Sequence, residues 1–260
     1  MSPIDESFAY PLHWALKNGD WSTAGSLLTS GVDPNSADEN GSTPLHVVCR
    51  RDDVDSAERF FALCASHEHE PLIDARNNEG KAPLHLALSH GLKNLAEFLL
   101  RRGADPNSLD AEGATPLRYV CRGLMDPRVM MKIFCQHIGV REEAWGELAE
   151  RLVRSGTNVL DFEKDMIGSL LTRGADPNLA NARGETPLHV ICQRDFSEGL
   201  AKMFLELNAQ INGSTPRLDA KDELGHTAHS WLVAPMRPAW FSPRLVGTRR
   251  DSASHGTTSS

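Results

Sequence analysis

A short string that returns at nearly fixed intervals constrains this chain more than any other feature. Thr-Pro-Leu begins at Thr43, Thr115 and Thr186, with variants at Tyr10-Pro11-Leu12 and Ala82-Pro83-Leu84, so successive starts lie 33, 39, 33 and 71 residues apart. A second string, Gly-(Val/Ala)-Asp-Pro-Asn, begins at Gly31, Gly103 and Gly174, which are 72 and 71 residues apart. Self-similarity at such a period means that one small unit is copied along the chain and stacked on its neighbours. A quasi-linear array therefore replaces the one or two globular domains that 260 residues would otherwise allow.

The physical content of one unit can be read from residues 82 to 113. Pro83 suits a first helical turn, where its missing N–H costs nothing, and threonine in front of it in the sister units can cap that turn. Leu84, Ala87 and Leu88 share one face of a short helix that Gly91 breaks. A second helix from Lys93 to Arg102 carries Leu95, Phe98, Leu99 and Leu100, ends on two arginines against its negative dipole end, and stops at Gly103. Asp105-Pro106-Asn107 and Asp110-Ala111-Glu112-Gly113 are turn chemistry, which predicts a projecting finger.

T-P-L-H at the first helix, L-L-x-x-G-A-D-P-N at the end of the second and D-x-x-G before the next T-P together resemble an ankyrin-repeat protein over roughly residues 8 to 232. The resemblance implies an all-α solenoid of about six helix-turn-helix units with short β-hairpin fingers. Expected boundaries are an extension over 1–7, units near 10–42, 43–81, 82–114 and 115–141, a degenerate unit over 142–185, a unit over 186–225, a partial one over 226–232 and a disordered tail over 233–260. Two departures stand out. The long units carry extra residues after their second helix, Ser66 to Ile73 and Asn208 to Pro216. The interval from Thr115 to Thr186 has room for two units but no second D-x-x-G-x-T-P start, so a missing finger and an extra helix from Glu142 to Arg154 are expected there.

Charge and cysteine usage bound the setting. The formal net charge is −8; Arg237, Arg244, Arg249 and Arg250 against Asp251 make the tail +3, which leaves −11 on the rest. An acidic array argues against nucleic acid or an anionic membrane as partner, because nonspecific affinity for both rests on Lys and Arg. The first 30 residues hold no signal-like apolar core and no run is long enough to span a bilayer, so a membrane anchor and secretion are not expected. Five widely spaced cysteines without a C-x-x-C pair fit a reducing cytoplasm or nucleus.

Each cluster with chemical potential has a plain structural reading. His13, His46, His85 and His189 occupy one phase of the repeat, hence different units, and suit hydrogen bonds between neighbours rather than one metal ion. Cys49, Cys121 and Cys192 share a phase expected to be buried. His67-Glu68-His69-Glu70 offers two imidazoles but lacks further fixed ligands, so a solvated loop is expected. No hydrolase, zinc-protease, phosphate-loop or kinase signature occurs; no catalytic residue, cofactor or metal is predicted.

The predicted binding residues follow from the resemblance, in which first-helix ends and finger tips line a concave face. The helix ends supply Lys17, Arg50, Arg51, His90, Arg122, Gln193 and Arg194, and the tips supply Glu39, Asn40, Asn78, Glu79, Glu112 and Arg183. Trp14 and Tyr119 are the aromatic anchors. A basic stripe beside an acidic rim suits a carboxylate-rich or phosphorylated segment of another protein; solvated helix ends are the plainer alternative. The functional expectation is a monomeric, noncatalytic scaffold, adaptor or inhibitor. Its alternative is a substrate-recruiting ubiquitin-ligase subunit, against which residues 233–260 show no Leu-rich docking helix. By resemblance only, Asn35, Asn107 and Asn178 match asparagines hydroxylated in some ankyrin proteins, and Arg249-Arg250-Asp251-Ser252 has the form of a basophilic kinase site.

Overall fold

The computed structural model describes residues 10–51, 53–122, 159–194, 198–213 and 215–233. They form α1 (Pro11–Asn18), α2 (Trp21–Thr29), α3 (Pro44–Val48), α4 (Val54–Ser66), α5 (Pro83–Ser89), α6 (Lys93–Arg101), α7 (Pro116–Arg122), α8 (Val159–Thr172), α9 (Pro187–Cys192), α10 (Glu198–Asn212) and α11 (Ala228–Val233). The expected extra helix at 142–154, Cys135 and the tail from residue 234 onward lie outside the described residues.

The helices stack in two layers. α1, α3, α5, α7, α9 and α11 follow one another in the first layer, and α2, α4, α6, α8 and α10 in the second. Each first helix but α11 starts on a proline-containing turn and buries its apolar residues between layers: Leu12 and Leu16, Leu45 and Val48, Leu84 and Leu88, Leu117 and Val120, Leu188 and Ile191. The second layer contributes Leu28, Phe60, Leu95, Leu99, Met166, Leu170 and Phe204 to the same continuous core. No pair of helices could bury this surface alone, and stacking removes it from water.

The interval from Thr115 to Thr186 departs from expectation. α7 packs directly on α9, and α8, on the far side of residues 123–158, packs on α7 as a second helix does on its first. The finger at Asp110–Gly113 meets the finger at Asn181–Gly184 through Ala182 N–H donating to Glu112 O at 3.1 Å, so no finger is missing between them. The chain therefore carries its surplus length inside one unit, between that unit's two helices.

Four kinds of tie repeat at the junctions. Fingers are joined by Asn78 N–H to Asn40 O, Ala111 N–H to Glu79 O, Ala182 N–H to Glu112 O and Glu223 N–H to Arg183 O, at 2.8 to 3.1 Å. They are tight turns rather than strands, and one, at Lys221 and Thr227, reaches an isolated antiparallel bridge. Glycine is required at their tips: Gly80 has φ 70°, and a Cβ there would sit under 3.0 Å from backbone atoms of Asp110 and Ala111.

The second tie is the histidine row. Nε2 of His13, His46, His85 and His189 lies 2.8 to 3.1 Å from the carbonyl oxygens of Ser42, Lys81, Ala114 and His226 in the next unit. Arg118 stands in this phase in the remaining unit and reaches the next unit through the Glu185 carboxylate at 2.8 Å. The third tie is an acceptor in the loop before each finger. Leu72 N–H donates to Asn35 Oδ1, Asp105 N–H to Asp74 Oδ1, Asp176 N–H to Asn107 Oδ1 and Arg217 N–H to Asn178 Oδ1. Fourth, Arg51 donates to the carbonyls of Leu16 and Lys17, and Arg194 to that of Cys121, closing the end of the preceding first helix.

Candidate protein-interaction face

The first helices and finger tips form one face, and the repeat phase decides what each position shows there. Four residues after each start stand Trp14, Val47, Leu86, Tyr119 and Val190. Val47, Leu86 and Val190 are buried, whereas Trp14, at the first-unit end of the described stack, is 39% exposed. Tyr119, the other expected anchor, is half-buried and tied to its own finger. Its hydroxyl donates to Asp110 Oδ2 at 2.7 Å and its ring stands edge-on to His85 at 5.2 Å, so burial and the Asp110 carboxylate hold the phenol well above its usual range. It is half-buried structural material.

The helix-end row divides in two. Seven residues after each start, Lys17, Arg50 and Arg122 are exposed, Ser89 and Gln193 partly so. One residue further on, Arg51, His90 and Arg194 turn inward. Arg51 also lies 3.6 Å from Asp53, and His90 Nδ1 lies 2.7 Å from Leu86 O. Arg194 pairs at 2.8 Å with Glu163, whose side chain is fully buried. Burial pushes the Glu163 carboxyl up against the pull of Arg194. Three members of the expected stripe are thus structural ties, and the outward basic set is Lys17, Arg50 and Arg122.

Gln193 donates to Glu185 Oε1 at 3.0 Å, and Asn181 and Arg118 hold the other oxygen. Burial raises the Glu185 carboxyl, but the hydrogen bonds from Gln193, Asn181 and Arg118 outweigh it and bring its pKa below the usual value. At the tips, Glu39, Asn40, Asn78, Glu79, Glu112 and Arg183 are all exposed in their side chains while their backbones carry the finger ladder. Glu79 pairs with Lys81 of its own finger at 2.6 Å.

Of the expected binding residues, Trp14, Lys17, Glu39, Asn40, Arg50 and Arg51 line a cleft of about 310 Å³ between α1, α3 and the first finger, and the others lie outside it. Tyr10, Trp14 and Val47 give it an apolar floor, Lys17 and Arg50 a basic end, and Asp38 and Glu39 an acidic lip. Arg50 is held loosely, its guanidinium 3.4 Å from Ser42 Oγ. The repeat phase did not single out Tyr10, Val47 or Asp38. Tyr10 was visible as the aromatic exception in the Thr position, stacked edge-on against His13 at 5.7 Å.

Burial raises the thiols of Cys49 and Cys121, and pushes Cys64 up to about 12 and Cys192 up to about 11. Groups of three metal-ligating side chains do not occur among the described residues, and none of the described helices is long and apolar enough to cross a membrane.

Comparison with known proteins gives the same architecture. Residues 12–110 match a family model described as ankyrin repeats in three copies. The chain is 35% identical over 98 residues to NF-kappa-B inhibitor alpha of Rattus norvegicus, covering 38% of this chain and 31% of that protein. It is 26% identical over 186 residues to the B-cell lymphoma 3 protein homolog of Mus musculus, covering 71% and 40%. It is 31% identical over 183 residues to SH3 and multiple ankyrin repeat domains protein 2 of Homo sapiens, covering 69% and 9%. The chain thus spans well under half the length of each of these relatives.

Proposed function

From the premise that this chain is an ankyrin-repeat protein, we propose that it is a noncatalytic adaptor or inhibitor that binds another protein on the face of its first helices and finger tips. The observation that carries the reading is the cleft at Trp14, Val47 and Arg50, where an exposed indole lies beside two outward cations. Large aromatic and arginine side chains supply most of the energy in protein interfaces. An apolar anchor on Trp14 followed by a carboxylate or phosphate on Arg50 and Lys17 fits that floor and that charge. One relative is by name an inhibitor of NF-kappa-B, which supports the inhibitor form of the reading. The cytoplasm or nucleus is the proposed setting, and a monomer the proposed state.

The test compares the full chain with a Trp14→Ala, Arg50→Glu variant as immobilised baits in cell extract, with retained proteins identified by mass spectrometry. Both side chains are exposed, so the thermal midpoint should move little, within about 0.5 kcal/mol of stability. A partner retained by the wild type and lost with the variant supports the reading. An identical set of retained proteins overturns it.

A further inference from the structure

The second unit carries surplus residues after α4, and they build a pocket on the side of the second helices, away from the cleft just described. Its volume is about 440 Å³, and Phe61 and Ala65 of α4, Glu68, His69, Glu70, Pro71, Ile73 and, from the next unit, Arg102 line it. Phe61, Ala65, Pro71 and Ile73 make the floor apolar. The wall is fixed from two sides. His69 N–H donates to Cys64 O at 3.0 Å, and Asn35 clamps the segment with Nδ2 on Glu70 O and Oδ1 on Leu72 N–H.

Charge decides what this pocket fits. Neither the Glu68 nor the Glu70 carboxylate pairs with a cation among the described residues. Arg102, the one guanidinium on the lining, which also includes the His69 imidazole, sits over two rings instead, 4.8 Å from the centroid of Phe61 and 5.1 Å from that of Phe98. The carboxylates are left to face solvent at the mouth of an apolar slot, on a protein whose formal charge is already −8. Such a mouth attracts a cation and repels an acidic segment.

Glu68 also occupies its place against backbone preference. It has φ 58°, the left-handed conformation, and is the sole non-glycine residue in that region among the described residues. At the same point after the second helix the sister units have Gly31, Gly103 and Gly174, with φ 90°, 96° and 88°. Glycine takes this conformation at no steric cost. The Glu68 side chain accepts no hydrogen bond from any described residue, so its presence returns nothing to the fold.

We propose that this pocket is a second docking site, which takes a lysine or arginine of another protein. The aliphatic stem of that residue lies on Phe61, Pro71 and Ile73, and its charge is met by Glu68 and Glu70. The inference is independent of the cleft at Trp14 and Arg50, since the two sites share no residue.

The test pans a phage-displayed random heptapeptide library on the full chain and counts each clone against Glu68→Gly and Glu70→Gln. The expected result is enrichment of clones with Lys or Arg beside an apolar residue that bind Glu68→Gly at least ~10-fold more weakly. Glu68→Gly should have an equal or higher thermal midpoint, up by about 2 °C, which separates lost binding from lost folding. Enrichment of acidic clones, clones indifferent to both substitutions, or no enrichment overturns the proposal. Clones that respond only to Trp14→Ala, Arg50→Glu report the other face and, alone, overturn this proposal while leaving that one standing.

Discussion

At the start of a unit, one imidazole joins two levels of structure. Nδ1 of His46 accepts the Thr43 N–H at 3.1 Å, which assigns the proton to Nε2, and Nε2 then donates to Lys81 O in the next unit at 2.9 Å. His85 repeats this with Ala82 and Ala114. A second proton would have to sit on Nδ1, facing an N–H. Burial, the largest cause, lowers the pKa of both rings below the ordinary 6.5. The unfolded chain therefore takes up protons first as pH falls. Stability from these groups is complete above about pH 6.5 and is lost as pH drops below it towards the folded values. Thermal midpoints between pH 7.5 and 5.5 should fall, and His46→Gln, His85→Gln, though less stable at neutral pH, should show a flatter slope; equal slopes would contradict the tautomer assignment. The histidine role was legible from phase alone. The functions of Arg51, Tyr119 and Arg194 were not, because a residue's phase fixes where its Cα lies on the repeat but not whether a long side chain turns out to solvent or back to a carbonyl. Arg50 and Arg51 are neighbours in sequence and do opposite things.

Elements were more legible than their grouping. Proline starts, glycine stops and apolar spacing placed α5 and α6 to within a residue, since local sequence sets those ends. Residues 115–185 have the length of two units, but length does not settle adjacency, which contact does: Arg118 reaches Glu185, and Glu112 O accepts from Ala182. Sister units join their two helices by two to five residues, as between α1 and α2 or between α3 and α4. α7 and α8 pack together no differently. Replacing residues 123–158 with a five-residue Gly/Ser linker should therefore leave a cooperatively unfolding array with a thermal midpoint within a few degrees of the parent. Collapse of the variant into a molten or aggregated state would show that the stack depends on the replaced residues.

At the scale of the whole molecule, the described helices of each unit pack on those of the next, so stability is close to a sum of unit and junction contributions. A junction can then be weakened without damaging either side. Asn107 is the best place to try. Its Oδ1 accepts Asp176 N–H at 2.7 Å and its Nδ2 donates to Gly174 O at 2.8 Å, across the junction with the unit that holds the long connection between α7 and α8. Its own unit keeps Asp105 Oδ1 on the Asn107 backbone N–H, a bond that alanine preserves. Asn107→Ala removes both cross-junction bonds, for a loss of about 1 to 3 kcal/mol. If the array is a chain of coupled units, this loss lowers cooperativity as well as the midpoint. Urea unfolding should broaden or split into two steps, with a smaller apparent slope than the parent. Asn35→Ala, at a junction with no long connection, should lower the midpoint by a similar amount and retain more of the slope. A shifted but equally steep transition for Asn107→Ala would instead show that the units on the two sides of that junction unfold as one body.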